Sequence, residues 1–193
     1  LEQKLQELPQ RVTVTVEGRT VRVRGWRYDV CGLDGYIVPV YLLDTDVSEN
    51  TPWDRTLTHF LYGMDHHYRL CQEAVLGIGG VKILRAAGHK QLERFHMNEG
   101  HASLLTLALL EERRHAERRS DVTDADVEHV RQQCVFTTHT PVPAGHDVFP
   151  WTLVQQVLGA RPEYDKLPQV FSAKDGLNLT RLALQLSHHV NGV

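Results

Sequence analysis

Two histidine-bearing loops hold the side chains of this sequence that could do chemistry: Phe95-His96-Met97-Asn98-Glu99-Gly100-His101, and Phe136-Thr137-Thr138-His139-Thr140-Pro141-Val142-Pro143-Ala144-Gly145-His146-Asp147. Each follows a short strand-like run, and an open α/β sheet binds its ligands where strands end and loops begin. The groups gathered there are imidazole, carboxylate, amide and hydroxyl. They suit a polyhydroxylated ligand, because sugar hydroxyls both donate and accept, and a specific hydrogen bond offsets the desolvation of each group. Asn98, Glu99, His101, His139 and Thr140 make up that inventory. Taken singly, each also reads as a cap or turn group that satisfies local backbone.

Other chemistries fit less well. Twelve histidines are a rich supply of metal ligands, yet neither His-Glu-x-x-His nor Cys-x-x-Cys occurs, so no metal is expected. No Gly-x-Ser-x-Gly elbow is present, and Cys134 lies in an apolar run where a buried, inert thiol is expected. Gly77-Ile78-Gly79-Gly80-Val81 invites a phosphate-loop reading, but no strand leads into it and its spacing matches neither nucleotide fingerprint. Close helix packing against a neighbouring backbone is the better account.

The elements that must position these loops are legible from periodicity. Val12 to Val16 and Val21 to Arg24 alternate at period two around the turn Glu17-Gly18-Arg19, which predicts a hairpin with Arg22 and Arg24 on a solvated face. Tyr36 to Asp44 predicts a further strand, in which Pro39 favours an edge position or a bulge over a central place. A polar connection runs from Asp44 to Thr58. Tyr68, Cys71, Val75, Ile78 and Leu84 then keep helical spacing up to Gly88, a C-terminal cap. Strands are predicted at Arg94–Met97 and Cys134–Thr137, with a Leu- and Ala-rich helix from Ala102 to Glu112 between them. A second helix there opens at Thr123, with Asp126 in the capping-box position. The charge run Glu111 to Arg119 reads as a solvated face with local ion pairs. Two strand–helix passes in succession predict parallel strands with helical crossovers. The fold class is therefore α/β with a β-rich first third, residues 1–48, followed by an α/β segment, 59–193, that carries the histidine loops.

Composition narrows the class further. At 193 residues and 41% hydrophobic content the chain can bury a proper core, and a formal charge of -3 gives no basic surface for nucleic acid. Three cysteines without metal spacing fit free thiols in a reducing compartment, so a cytoplasmic location is expected. No apolar run approaches membrane-helix length, and no signal peptide is visible, so no membrane partner is expected. The start at Leu1 and the end at Val193, directly after the helical pattern Leu177 to Leu186, suggest a piece of a longer polypeptide.

The string Leu61-Tyr62-Gly63-Met64-Asp65-His66-His67-Tyr68-Arg69-Leu70-Cys71-Gln72-Glu73, then Gly77 to Val81, His96 to Ala102, Phe136 to Asp147 and Val190-Asn191-Gly192-Val193, together with Tyr41 to Thr45, resembles the α-glucan phosphorylases. The likeness is greatest to the bacterial branch of glycogen/maltodextrin phosphorylases. It spans nearly the whole chain in one order. The resemblance implies part of a Rossmann-like N-terminal domain of a two-domain, GT-B type glycosyltransferase with its active site between the halves. It also implies reversible phosphorolysis of α-1,4-glucan to glucose 1-phosphate, pyridoxal phosphate on a lysine of an absent C-terminal domain, and a possible homo-oligomer. No cofactor is expected on this chain, which by itself would be inactive.

By the same resemblance, Asn98, Glu99 and His101 belong to the loop that meets the acceptor sugar. His139 contacts the glucosyl unit being transferred, through its backbone carbonyl and imidazole, and a carbonyl dipole there stabilises oxocarbenium charge. Thr140 follows it, Asn191 lies in an Asn-Gly-Val turn bordering the cleft, and Asp65 is carried over from the gate loop. Two departures stand out. The loop between Tyr62 and Tyr68 is shorter than in the animal branch, and Ala144 replaces a glucan-binding glutamate. Two alternatives are a nucleotide-sugar glycosyltransferase resembling glycogen synthase, against which the Asn-Glu-Gly-His and Thr-His-Thr-Pro order weighs, and a non-catalytic glucan-binding module.

Overall fold

The structure is a computed structural model that describes residues 5–61, 65–140, 146–171 and 174–193. Ala144 and most of the Tyr62–Tyr68 loop's first half, Tyr62 to Met64, lie outside the described residues.

Alternation builds the first sheet. β1 (Gln6–Val16) and β2 (Arg19–Cys31) pair antiparallel, with Val16 opposite Arg19 across the turn. Glu17 and Gly18 both take positive φ, 51° and 73°, as a two-residue turn that matches strand twist requires. Val14, Val16, Val21 and Val23 are buried while Thr13, Thr15, Thr20 and Arg22 are exposed. Arg24 is less solvated than its spacing predicts: its Nε donates to Asp44 at 2.7 Å and its guanidinium stacks over Trp26. β3 (Ile37–Asp44) pairs with β2 and stands at the sheet edge, with Pro39 opposite Asp29. Both long strands outrun the alternating segments, since the ladder continues through Gly25 to Cys31 after the pattern fades.

The helical pattern from Tyr68 onwards becomes α1 (His66–Ala74), a π-helical turn at Val75–Gly79, and α2 (Gly80–Ala86). Gly88, at φ 100°, lies just past the end. The wide turn, which periodicity does not predict, brings Gly77 against the next helix: a Cβ there would lie 2.7 Å from Leu105 N and 2.8 Å from Leu104 C. Gly77 therefore serves close packing, and Gly79 meets the Val14 side chain, whereas Gly80 faces open space.

The second sheet contains β4 (Phe95–Asn98), β5 (Cys134–Thr138) and, later in the chain, a strand at His189–Gly192. All run parallel, in the order β4, β5 and that last strand. Two crossovers connect them. The first is α3 (Leu105–Ala116) and α4 (Asp124–Gln133); α3 begins later than Ala102 because Gly100–Ala102 forms a 3-10 turn. The second comprises β6 (Val148–Phe149), α5 (Trp151–Leu158), α6 (Pro168–Phe171), β7 (Leu177–Asn178) and α7 (Leu179–Gln185), with β6 and β7 paired antiparallel, before the final strand, β8. Asn191 sits in β8, a strand rather than the expected turn. The fold is thus a mixed α/β arrangement.

Capping and ion pairs fix the first crossover. Thr123 and Asp126 form the expected capping box, each side chain accepting from the other's backbone N–H. The charge run does more than face solvent. Arg119 donates to the buried Asp126 at 2.7 Å, and Arg113 approaches the same carboxylate at 3.4 Å. Burial opposes the charge on Asp126, but the Thr123 backbone and Arg119 outweigh it and hold the carboxyl down at about 2. Cys71 and Cys134 are buried free thiols, pushed up to about 12 by burial. Among the described residues no helix is long and apolar enough to cross a membrane.

Gly77→Ala should cost about 1–3 kcal/mol, because backbone rather than a movable side chain blocks the methyl. Gly80→Ala, with nothing within 4 Å of the added carbon, should stabilise by up to about 1 kcal/mol. Urea midpoints of the two variants check both signs.

Candidate functional site

The β4–β5 register brings the two loops together. Asn98 pairs with Thr137, and Glu99 N–H donates to Thr137 O at 2.9 Å, so residues 98–99 and 137–140 leave the sheet side by side. Glu99 takes a positive φ of 62°, a region that non-glycine residues rarely occupy. Its carboxylate accepts from the His139 backbone N–H, from Thr140 Oγ1 at 3.2 Å and from Thr138 Oγ1 at 3.3 Å. Burial works against the charge, yet these donors outweigh it and hold the Glu99 carboxyl below its usual value.

The His139 ring is oriented by the other loop. Its Nε2 lies 2.5 Å from Asn98 Oδ1, and an amide oxygen accepts only, so that nitrogen carries the proton. Thr137 is the hub beneath. Its hydroxyl donates to Asn191 Oδ1 at 2.8 Å and accepts from His96 Nε2 at 2.7 Å, tying all three parallel strands together at one level. Gly100 is buried against α7, where a Cβ would lie 3.1 Å from Thr180 N. Thr180 Oγ1 in turn meets His146 Nδ1 at 2.8 Å. Asn98, Glu99, His139, Thr140 and Asn191 therefore share one hydrogen-bonded network at the C-terminal ends of the strands.

His101 enters a second cluster. Its Nδ1 lies 3.4 Å from Asp147 Oδ2 and 3.5 Å from Glu73 Oε1. Arg69 binds Asp147 through Nε and Nη2, at 3.1 and 2.8 Å, and approaches Glu73 at 3.5 Å. Glu73 is 4% exposed, and burial pushes its carboxyl up to about 7. Asp147 and then Glu73 raise His101 to about 9, while His101 and Arg69 hold Asp147 below its usual value against its burial. The ligand atoms of Glu73, His101 and Asp147 lie within 4.8 Å of one another, as a metal would require. The Arg69 guanidinium already supplies the cation there, so the cluster is an ion-pair network. It borders a cavity of about 430 Å³ with apolar walls that include Leu43, Leu57, Phe60 and Leu76.

Asp65 stands apart as the exposed N-cap of α1, accepting from Tyr68 N at 2.8 Å. Sequence reasoning missed Glu73, Arg69, His96 and Thr137. The one available signal was the four-residue spacing of Arg69 and Glu73 on a helix, which by itself marks any surface ion pair.

No protein-family model matches the chain. The maltodextrin phosphorylase of Thermococcus litoralis is 36% identical over 188 residues, covering 96% of this chain and 22% of that protein. The glycogen phosphorylase of Mycobacterium tuberculosis is 39% identical over 81% of the chain and 20% of its own length. That of Aquifex aeolicus is 33% identical over 80% and 23%. The chain thus spans about a fifth of the length of these relatives.

The depressed Glu99 carboxyl has a stability consequence with a definite sign. Its contribution is fully present above the unfolded value near 4.5 and is lost as pH falls through the lower folded value. Glu99→Gln should therefore remove part of the acid sensitivity of the wild-type chain below about pH 4.5. Thermal midpoints between pH 6 and pH 3 measure it, and parallel slopes for the two proteins contradict it.

Proposed function

The chain belongs to the glycogen and maltodextrin phosphorylase family, and from that premise we propose that its two histidine loops form the glucan-facing wall of a phosphorylase active site. The reaction is reversible phosphorolysis of α-1,4-glucan. The C1–O4 bond at the chain end breaks, a phosphate oxygen bonds to C1, and the phosphate's proton passes to the departing O4. The observation that carries this reading is the shared network of Asn98, Glu99, His139 and Thr140, which fixes donors and acceptors where the parallel strands end.

His139 acts at the transferred glucosyl unit. With its N–H held by Glu99 and its ring held by Asn98, its carbonyl dipole is preorganised beside the carbon that develops positive charge. Glu99, kept ionised by three donors, and His101 meet the acceptor hydroxyls. Asn98, Thr140 and Asn191 set the height and tilt of the loops, while Asp65, the N-cap of α1, is taken as a glucan contact from the family resemblance alone. These contacts all fall in the 59–193 segment.

Pyridoxal phosphate, which the family resemblance implies, would supply a phosphate group that relays protons to the substrate phosphate. Two of the described lysines are committed to other partners, Lys82 to Thr13 O and Lys166 to Asp124. In this proposal the cofactor and the substrate phosphate are held by parts of a longer protein, as one half of a GT-B type pair of Rossmann-like domains facing the other. A bacterial-type enzyme, a cytoplasmic location and homo-oligomeric assembly complete the reading; the free thiols of Cys71 and Cys134 suit a reducing compartment.

The chain alone, incubated with maltoheptaose and phosphate, should release no glucose 1-phosphate; release would overturn the assignment of the phosphate site elsewhere. In a full-length phosphorylase carrying this segment, His139→Ala should lower kcat/KM about 100-fold, the loss of about 3 kcal/mol of transition-state contact. An unchanged rate removes His139 from the site.

A further inference from the structure

We propose that Glu99 is a positioning residue for the transferred glucosyl unit: its side chain latches the loop after β5, and the strained backbone beneath it is kept because only a side chain at that point can make the latch. The inference rests on the reading of His139 as the contact to the transferred unit, and it gives Glu99 a task on that side besides the acceptor hydroxyls.

The backbone supplies the first observation. Glu99 lies at φ 62°, ψ 177°, a combination that glycine adopts freely and other residues almost never. Glu17 and Arg118, the other described non-glycine residues at positive φ, sit in a hairpin turn and just past α3, where left-handed values are ordinary. The conformation at Glu99 is imposed from both sides. Before it, Asn98 is held in the ladder opposite Thr137, and the Glu99 N–H donates to Thr137 O at 2.9 Å. After it, Gly100 is buried on the backbone of α7, where a Cβ would lie 3.1 Å from Thr180 N. The chain must turn between two fixed points within one residue. A glycine at 99 would make that turn without strain, yet the sequence places its glycine one position later, where space rather than φ demands it.

The side chain supplies the second. Oε1 accepts from the His139 N–H and from Thr140 Oγ1 at 3.2 Å, and Oε2 accepts from Thr138 Oγ1 at 3.3 Å. Three consecutive residues of the facing loop thus end on one carboxylate. A carboxylate has about four lone-pair sites, so roughly one is left for a sugar hydroxyl. Two of the bonds fall on either side of the His139 carbonyl, at the N–H before it and the Thr140 hydroxyl after it. They fix the peptide whose dipole faces the reacting carbon. A glutamine oxygen would serve the same two donors, and its amide would face the Thr138 hydroxyl, which both donates and accepts. The latch therefore depends on reach and geometry more than on charge.

The first test uses the 193-residue chain without sugar. Hydrogen exchange of the His139 amide should be about tenfold faster in Glu99→Ala and Glu99→Gly than in the wild type, with Glu99→Gln slower than either. Equal rates in all four proteins overturn the latch. The thermal midpoint of Glu99→Gly should exceed that of Glu99→Ala by roughly 2–4 °C, because only glycine releases the strain. A glycine variant no more stable than the alanine variant overturns that half. Should Glu99→Ala fail to fold while Glu99→Gly folds, the strain is supported and the exchange rates of Glu99→Gly and Glu99→Gln decide the latch. In a full-length phosphorylase carrying this segment, Glu99→Gly should lower kcat about 100-fold, and Glu99→Gln should recover about tenfold of that loss. A change confined to the KM for maltoheptaose, or a glutamine variant as poor as the glycine one, overturns the positioning role. An unchanged rate in His139→Ala, with exchange and midpoints as stated, overturns the reading of His139 and not the latch.

Discussion

In the register that pairs Asn98 with Thr137, the loops after β4 and β5 emerge at the same height, and every other feature of the site depends on that pairing. One residue of slippage would turn Asn98 to the opposite face and separate Glu99 from the Thr138–Thr140 backbone. Thr137 reinforces the register with its side chain. Its hydroxyl reaches His96 on one neighbouring strand and Asn191 on the other, so the three strands are matched by polar contacts near their C-terminal ends. Beneath that level the matching is apolar, with Phe95, Met97, Cys134 and Phe136 buried.

Packing transmits the same constraint outward. The π-helical turn between α1 and α2 lets Gly77 touch the start of α3, and α3 begins only after the loop that contains Glu99 and His101. Glu73 lies immediately before that turn, on the helix whose position the glycine contact sets. The two clusters, one around Glu99 and one around Glu73, are therefore joined through backbone as well as through His101.

Local signals account for what was legible in the sequence. The Val-rich hairpin, the capping box at Thr123, the edge placement of Pro39 and the parallel passes all follow from spacings of two to four residues, where side-chain periodicity and backbone geometry determine the outcome. That Asn98, Glu99, His139 and Thr140 gather polar groups was readable for the same reason, since they sit in two short strings. What was not legible depends on distance along the chain. Arg69 and Asp147 are 78 residues apart, and only the fold brings the guanidinium to the carboxylate. The π turn replaces a regular helix because of what packs on it, and β8 forms because β5 offers an edge, though Val190 to Val193 carries little strand pattern of its own. The direction of His101 was likewise hidden: its neighbours in sequence point to Glu99, its partners in space are on α1.

The long sequence separations within the site have a kinetic meaning. Glu99 meets residues 39 to 41 positions later, and Thr137 meets Asn191 across 54. Contacts of that kind must close large loops before they return any free energy, whereas α1, α3 and the first hairpin organise from neighbours. The site is thus assembled near the end of folding, on a scaffold already in place.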